Sequence, residues 1–551
     1  MEKSVVNQKL VWVKDSLARE GDQRKGVALT VSQKMDCVKR LVDLGVPYIE
    51  GPWVVPEQRG LGAEQEKARQ RAVEFYHLAK DLNFGQSKLF AFGATREKNT
   101  HVTESQFLLS LLSSGAKNFT IFGKAHPAQV LKVLEAKLQE NLMMIYESIQ
   151  FLKASGAELV FFDAEHFFDG YKDNSAYASF VLKKAQAAGA DAIILCDTNG
   201  GTLPHETVEI IRRVKSDLTV PFGVHMHNDT GTAVASSLLA VLEGASIVEC
   251  TVNGYSERCA MPDLCTVVPN LILKMGYDCV GISKRNLKKL KSLSLAVSEH
   301  SNLPHDAQSP YVGDSAFYHK AGTHQKNPEL QEHVNPELVG NERHLPLTDS
   351  AGRKAAVEYL KKNFKIELDR DHPVVKAIMA EIRDSENLGY HLESAPETLK
   401  LKVLRILAQT QQLSYHQPFE VHGAEVSISF KNIGGVWRHS SKADVEVMVD
   451  GKKEHTVDKS EEGPVAALDH AIRKALEKRF PKITQTELKD FTVRVLANGV
   501  GVKGTASKVR VAIESSDKKR RYQTAGISEN IIVAACLALL DSMEIKIAEK
   551  K

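Results

Sequence analysis

From about residue 9 to 253, short apolar runs alternate with longer amphipathic stretches. The apolar runs are Leu10–Lys14, Val46–Glu50, Lys88–Phe92, Asn118–Phe122, Glu158–Asp163, Ala192–Cys196, Phe222–His225 and Ser246–Thr251. They are short, nearly continuous in hydrophobic character, and so read as strands buried on both faces. Between them, Val31–Leu44, Glu66–Leu82, Ala128–Ser155 and Ser175–Ala188 carry apolar residues at helical spacing. Glycines 45, 115, 156, 189 and 244 stand just before strands, where a helix usually ends on a left-handed residue. Eight strand–helix repeats over roughly 250 residues predict a (β/α)8 barrel rather than an open doubly wound sheet.

Polar residues cluster at the strand ends. Arg19 and Glu20 follow strand one, Glu50 ends strand two, and Asp163 and Glu165 lie around the end of strand five. Asp197-Thr198 follows strand six, His225-Met-His227-Asn-Asp229 ends strand seven, and Asn253 follows strand eight. Side chains alternate along a strand, so His225 and His227 point the same way. Two imidazoles on one face form half of a site for a borderline metal such as Zn, Mn, Fe or Co, completed by a carboxylate or water. The alternative is a hydrogen-bonded structural pair. In a barrel all eight strand ends converge on one mouth, which places the strand-one carboxylate beside the histidines.

Past residue 280 the pattern changes. Residues 285–410 read as mostly helical, with turn-rich breaks at Asn302–Val312 and Gly340–Gly352. Strand-like alternation returns at Phe419–Phe430 and Ala443–Val449, followed by a helix at Pro464–Arg479. Strands near Thr492–Leu496 and Lys508–Glu514 and a helix at Glu529–Ser542 complete a separate α+β domain. The expected division is 1–282 for the barrel, 283–415 for helical linker subdomains and 416–551 for the C-terminal domain.

Composition narrows the class. A net charge of +3 over 551 residues gives no electrostatic argument for nucleic acid or an acidic membrane surface. The basic stretch Lys518–Arg521 reads as a solvated hairpin turn. Seven cysteines without a C-x-x-C argue against disulfide stapling and for a reducing, cytoplasmic setting. The N-terminal residues lack the pattern of a secretory signal, and the apolar run near Ile531–Leu540 is too short to span a bilayer.

Several blocks carry a more specific signal: Asp163-Ala-Glu-His-Phe-Phe-Asp-Gly-Tyr-Lys172, Leu195-Cys-Asp-Thr-Asn-Gly-Gly-Thr-Leu-Pro204 and Asn253-Gly-Tyr-Ser-Glu-Arg-Cys259. With Ser309–Phe317, Gly463–Asp469 and Gly526–Asn530, they resemble the 2-isopropylmalate/homocitrate synthase family, in its citramalate synthase branch, over almost the whole chain. The resemblance implies an acyltransferase in which acetyl-CoA, as co-substrate, condenses with a 2-oxo acid. For this branch the acid is pyruvate and the pathway leads to isoleucine and other branched-chain amino acids. It implies a divalent metal (Mn, Mg, Zn or Co) on Glu20, His225 and His227. Arg19 would offset developing negative charge and bind substrate, Thr198 would bind the substrate carboxylate, Glu165 would lie near the metal-bound oxygens, and His324 would serve acid–base chemistry. It also implies a homodimer and an isoleucine-like effector at the C-terminal regulatory domain, with no nucleic-acid or membrane partner.

The chain departs from the family pattern at several positions. The family writes D-T-T-L-R-D-G where this chain has Asp15-Ser-Leu-Ala-Arg-Glu20-Gly21, so the expected ligand is one methylene longer. G-E-R-C-G-N is Ser256-Glu-Arg-Cys-Ala260-Met261, which puts a thioether where an asparagine is expected beside the metal. Gln331-Glu-His333 replaces Tyr-Glu-His, and Lys320-Ala-Gly-Thr-His324 replaces a Lys-Gly-Gly motif. The alternative reading is therefore an impaired or substrate-shifted paralogue, serving another 2-oxo acid or a regulatory role. Asn253 either caps its loop or turns toward the metal in place of the lost asparagine. Glu257-Arg258 is expected to be a buried ion pair fixing the eighth loop, and Glu50 to anchor the barrel mouth.

Overall fold

Eight parallel strands close into a ring: β1 (Leu10–Asp15), β2 (Tyr48–Trp53), β3 (Lys88–Ala94), β4 (Asn118–Lys124), β5 (Leu159–Glu165), β6 (Ala192–Asp197), β7 (Phe222–Met226) and β8 (Ile247–Cys250). Closure is made by β1, which pairs with β2 on one side and β8 on the other, setting Lys14 opposite Glu249 and Asp15 opposite Cys250. The predicted (β/α)8 barrel is therefore the observed architecture. A short strand β9 (Asp278–Cys279) pairs with the start of β1, at the end of the barrel away from the mouth. The computed structural model describes residues 9–56, 62–320, 322–348, 352–496, 507–517 and 520–548.

Two units are distinguished: Met1–Tyr318 with Glu332–His344, and His319–Gln331 with Leu345–Lys551. In the first, Phe90, Phe161, Ile194 and Ile247 pack with Trp12 and Tyr48 in a cluster inside the ring. Strand alternation then brings Lys14, Glu50, Asp163, His225 and Glu249 onto the inward face, one step nearer the mouth. Outside the ring, the helix Val31–Leu44 occupies the predicted span, opened by a Thr30 capping box and closed by Gly45 at φ 98°. The predicted helix Ala128–Ser155 is instead two, Pro127–Lys132 and Leu138–Ala154, interrupted where Glu135 takes φ 50°. The helix expected from Ser175 begins at Phe167, with a kink at Asn174.

In the second unit, two β-β-β-α blocks follow one another. The first has β10 (Phe419–Ile433), β11 (Val436–Val449), β12 (Lys452–Ser460) and the helix Pro464–Leu476. The second has β13 (Glu487–Val495), β14 (Val509–Ser516), β15 (Arg521–Ser528) and the helix Ile531–Ala548. Both sheets are antiparallel meanders. The third strand of each is new relative to the sequence pattern. β12 reads Lys-Lys-Glu-His-Thr-Val-Asp-Lys-Ser and is largely exposed, so no apolar alternation marks it. Within the stretch read as a basic turn, residues 518–519 lie outside the described residues, and Arg521 already begins β15. Among the described residues no helix is long and apolar enough to cross a membrane.

Gly45 is required by both backbone and space. Its φ is left-handed, and a Cβ there would meet the Gly281 carbonyl oxygen at 2.1 Å. Gly45→Ala is expected to destabilise the first unit by roughly 3 kcal/mol, read as a lowered thermal midpoint.

Candidate metal centre and barrel mouth

The helical turn after β1 is built by Asp15. Its carboxylate accepts the backbone N–H of Leu17 at 2.9 Å and of Val252 at 3.1 Å, tying the strand-one loop to the strand-eight loop. Burial raises the Asp15 pKa to about 7, against the lowering effect of those two hydrogen bonds. The turn presents Arg19 and Glu20 to the mouth. Arg19 pairs with Glu20 through Nη1 and with Glu50 through Nε, and its guanidinium lies 3.8 Å from the Phe92 ring centroid. Burial opposes its charge, but the two carboxylates outweigh this and raise its pKa.

Glu20, His225 and His227 each bring a ligand-type atom to within 4.8 Å of the others, and all three are buried. The imidazole Nε2 atoms of His225 and His227 face each other at 3.4 Å. His225 Nδ1 lies 2.7 Å from Glu249 Oε2. Glu249 is held below the usual carboxylate range by Lys14 and His225 despite its burial. An ionised carboxylate only accepts, so Nδ1 of His225 carries a proton, and Nε2 faces His227 and Glu20, with its lone pair exposed to them whenever the ring is neutral. Burial works against charge on His225, but the hydrogen bond and charge of Glu249 prevail and raise its pKa. Burial and the neighbouring His225 push His227 down to about 3, so it is neutral near pH 7. Burial alone would raise Glu20, yet Arg19, the histidines and a hydrogen bond from Ser256 bring it to about 2. An ionised carboxylate and two imidazoles with free nitrogens are a donor set that fits a divalent transition metal.

The longer carboxylate is seated on both oxygens. Arg19 takes Glu20 Oε1, and the Ser256 hydroxyl donates to Oε2 at 2.6 Å. The strand-eight loop that carries Ser256 is strained, since Ala260 adopts φ 88°, a conformation that costs a residue with a Cβ about 1–2 kcal/mol. The Ala260 carbonyl accepts the Asn228 N–H at 2.9 Å, which ties this loop to the one following His227.

Other predicted residues fall in various places. The Thr198 hydroxyl accepts the His166 N–H at 2.8 Å. Glu165 pairs with Lys124 at 2.6 Å. Met261 is buried, 2% exposed, and its N–H bonds the Gly254 carbonyl. Asn253 does not turn toward the Glu20–His225–His227 cluster. Its amide donates to the Ser294 carbonyl at 2.9 Å and to Ser298 Oγ at 3.1 Å, and its oxygen accepts from Ser294 Oγ, so it pins the loop to the helix Leu290–His300. The Glu257–Arg258 pair forms but is exposed rather than buried. Arg258 instead clamps both oxygens of Asp229 and the Thr198 carbonyl, joining the strand-six, -seven and -eight loops. Glu50 anchors the mouth as an ion-pair partner of both Lys14 and Arg19. His324, on the short helix Gly322–Lys326, and Gln331 are exposed and belong to the second unit.

The sequence pattern missed Lys14, Glu249, Thr120 and Ser256. Lys14 and Glu249 stand two positions beyond Trp12 and Ile247, so the inward parity of those apolar neighbours was the available signal.

Comparisons with known proteins agree with this architecture. Residues 10–296 match the HMGL-like family model, and residues 400–547 match the LeuA allosteric (dimerisation) domain. The (R)-citramalate synthase of Aquifex aeolicus is 42% identical over 98% of each chain. That of Geobacter sulfurreducens is likewise 42% identical over 98% of each chain. A 2-isopropylmalate synthase of Methanocaldococcus jannaschii is 28% identical over 98% of this chain and 95% of its own. The chain belongs to the citramalate synthase branch of the 2-isopropylmalate/homocitrate synthase family, whose members are acyl-CoA-condensing transferases.

Ser256→Ala removes a hydrogen bond to a buried charge, an interaction worth roughly 1.5–3 kcal/mol. Chemical denaturation should show a loss of that order, and the Glu20 carboxyl should titrate above its present value of about 2.

Proposed function

We propose that this chain condenses acetyl-CoA with pyruvate to give citramalate, using a divalent metal held by Glu20, His225 and His227. The buried carboxylate–imidazole–imidazole group beside Arg19 is the observation that carries the reading, and the names of the relatives supply its substrate. When bound, the metal supplies Lewis-acid polarisation of the keto carbonyl. Two imidazoles in the donor set favour Mn, Zn or Co over Mg.

The chain's own groups account for the other requirements. Arg19 remains charged, and among the described residues its Nη2 has no protein partner, so it can offset the negative charge that develops on the attacked ketone oxygen. The Thr198 hydroxyl can donate to the substrate carboxylate. Glu165, paired with Lys124, lies at the end of β5 on the side of the mouth where substrate oxygens would gather. His324 is assigned the acid–base step: a methyl proton leaves acetyl-CoA, the enolate carbon attacks the ketone, the alkoxide takes up a proton, and hydrolysis of the thioester releases CoA. It would act on the barrel of a partner copy.

Residues 1–282 are read as catalytic, 283–415 as linker subdomains, and 416–551 as the dimerising, isoleucine-responsive part of a cytoplasmic homodimer. The match to the LeuA allosteric domain supports this last assignment. A second reading, a substrate-shifted or impaired paralogue, is favoured by one observation: apolar Met261 is buried where the family pattern has an asparagine.

Purified protein should release free CoA thiol from acetyl-CoA when given pyruvate and Mn. Glu20→Gln and His227→Ala should each lower the rate by more than roughly 100-fold, beyond the cost of losing an outer hydrogen-bond partner. Release with another 2-oxo acid and not pyruvate would favour the shifted paralogue, and no release with any 2-oxo acid would sink the synthase reading.

Metal binding should also depend on pH through His225. Proton and metal compete for its Nε2, so binding is complete above the His225 pKa and is lost as pH falls through it. Because that pKa is raised from 6.5, the loss should begin above the usual histidine range. Glu249→Gln lowers the pKa and should move the loss to lower pH, measured by Mn titration across a pH series.

A further inference from the structure

Below the metal group lies a second cluster. Ligand-type oxygens of Glu50, Asp163 and Glu249 also come within 4.8 Å of one another, and all three residues are buried. Three carboxyl groups so placed are a donor set for an oxygen-loving divalent cation. The space between them is not free. The Lys14 ammonium lies 2.5 Å from Glu50 Oε2 and 2.6 Å from Glu249 Oε1, and donates to Thr120 Oγ1 at 2.8 Å. Two of its hydrogens go to Thr120 and Glu249, Glu50 is its ion-pair partner, and the residue is 0% exposed.

The two carboxylates that Lys14 holds each pass a second oxygen upward. Glu249 Oε2 meets His225 Nδ1 at 2.7 Å, and Glu50 Oε1 meets Arg19 Nε. Arg19, Glu50, Lys14, Glu249 and His225 form one continuous chain of hydrogen-bonded or ion-paired groups, with the ammonium at its centre.

We propose that the Lys14 ammonium is a built-in cation, which fills the hollow among Glu50, Asp163 and Glu249 so that no divalent ion enters it. By fixing Glu249 it also orients His225 toward the upper group. Lys14 is therefore a positioning residue for a one-metal site. The inference rests on the proposed metal role of Glu20, His225 and His227 only for the upper ion.

The test is the number of Mn ions bound per full-length chain after EDTA stripping, counted by equilibrium dialysis and by the spin-resonance signal of free Mn. Wild-type protein should bind one. Lys14→Met should bind one more ion than wild type, while its upper ion weakens roughly 10–100-fold, as when an outer partner of a ligating histidine is lost. Lys14→Met/Glu249→Gln breaks the lower donor set and should lose the extra ion. If Lys14→Met folds only in millimolar Mn, that rescue together with the extra ion supports the proposal. No extra ion in Lys14→Met, or a chain unfolded with Mn as well as without it, overturns it. Wild-type protein that binds no Mn would sink the upper-site reading alone, since the ion gained by Lys14→Met is counted separately.

Discussion

A lysine ammonium with no access to water must be matched inside the protein or give up its charge. Lys14 is matched by Glu50 and Glu249, and the organisation of the mouth follows from that requirement. The lysine is on β1, and its partners are on the two strands that flank β1 in the closed ring. Closure of the barrel and neutralisation of the charge are therefore one event. An open sheet would leave one carboxylate or the ammonium without its partner, at a cost of several kcal/mol.

The same arrangement explains how two neighbouring clusters of similar composition differ in chemistry. In the lower one the hollow is occupied by the ammonium, and burial among like charges raises Asp163 so that it holds its proton. In the upper one Glu20 remains ionised and His227 neutral, leaving nitrogen and oxygen lone pairs directed at one another. Charge in the lower layer fixes proton positions in the upper one through Glu249. This is the physical link between the packed core of the barrel and the charge state of its rim.

The barrel was legible because its strands are buried on both faces and its helices end on glycines such as Gly45, so periodicity and punctuation agree. His225 and His227 were legible because two residues on one strand share a face. Ser256, which meets Glu20 across 236 positions, and Lys14, which meets Glu249 across 235, were not, since register between distant strands is not written in either segment alone. Asn253 shows the converse. A polar residue at a strand end invited a functional role, but its amide satisfies the backbone of the helix Leu290–His300. In the second unit, β12 was invisible because an edge strand with few buried residues needs no apolar alternation.

The altered residues of the site are best understood as a set. A longer side chain at position 20 displaces its carboxylate by about one C–C bond, and a displaced charge needs new donors. Ser256 supplies one of them, with Arg19 on the other oxygen. The loop delivering Ser256 tolerates a left-handed alanine, and its carbonyl in turn holds the chain just past His227. Random loss of a site leaves buried charges unpaired. Here Glu20, Glu50, Glu165 and Glu249 each have a charged or hydroxyl partner, which is the condition under which a shifted carboxylate such as Glu20 can keep its charge while buried.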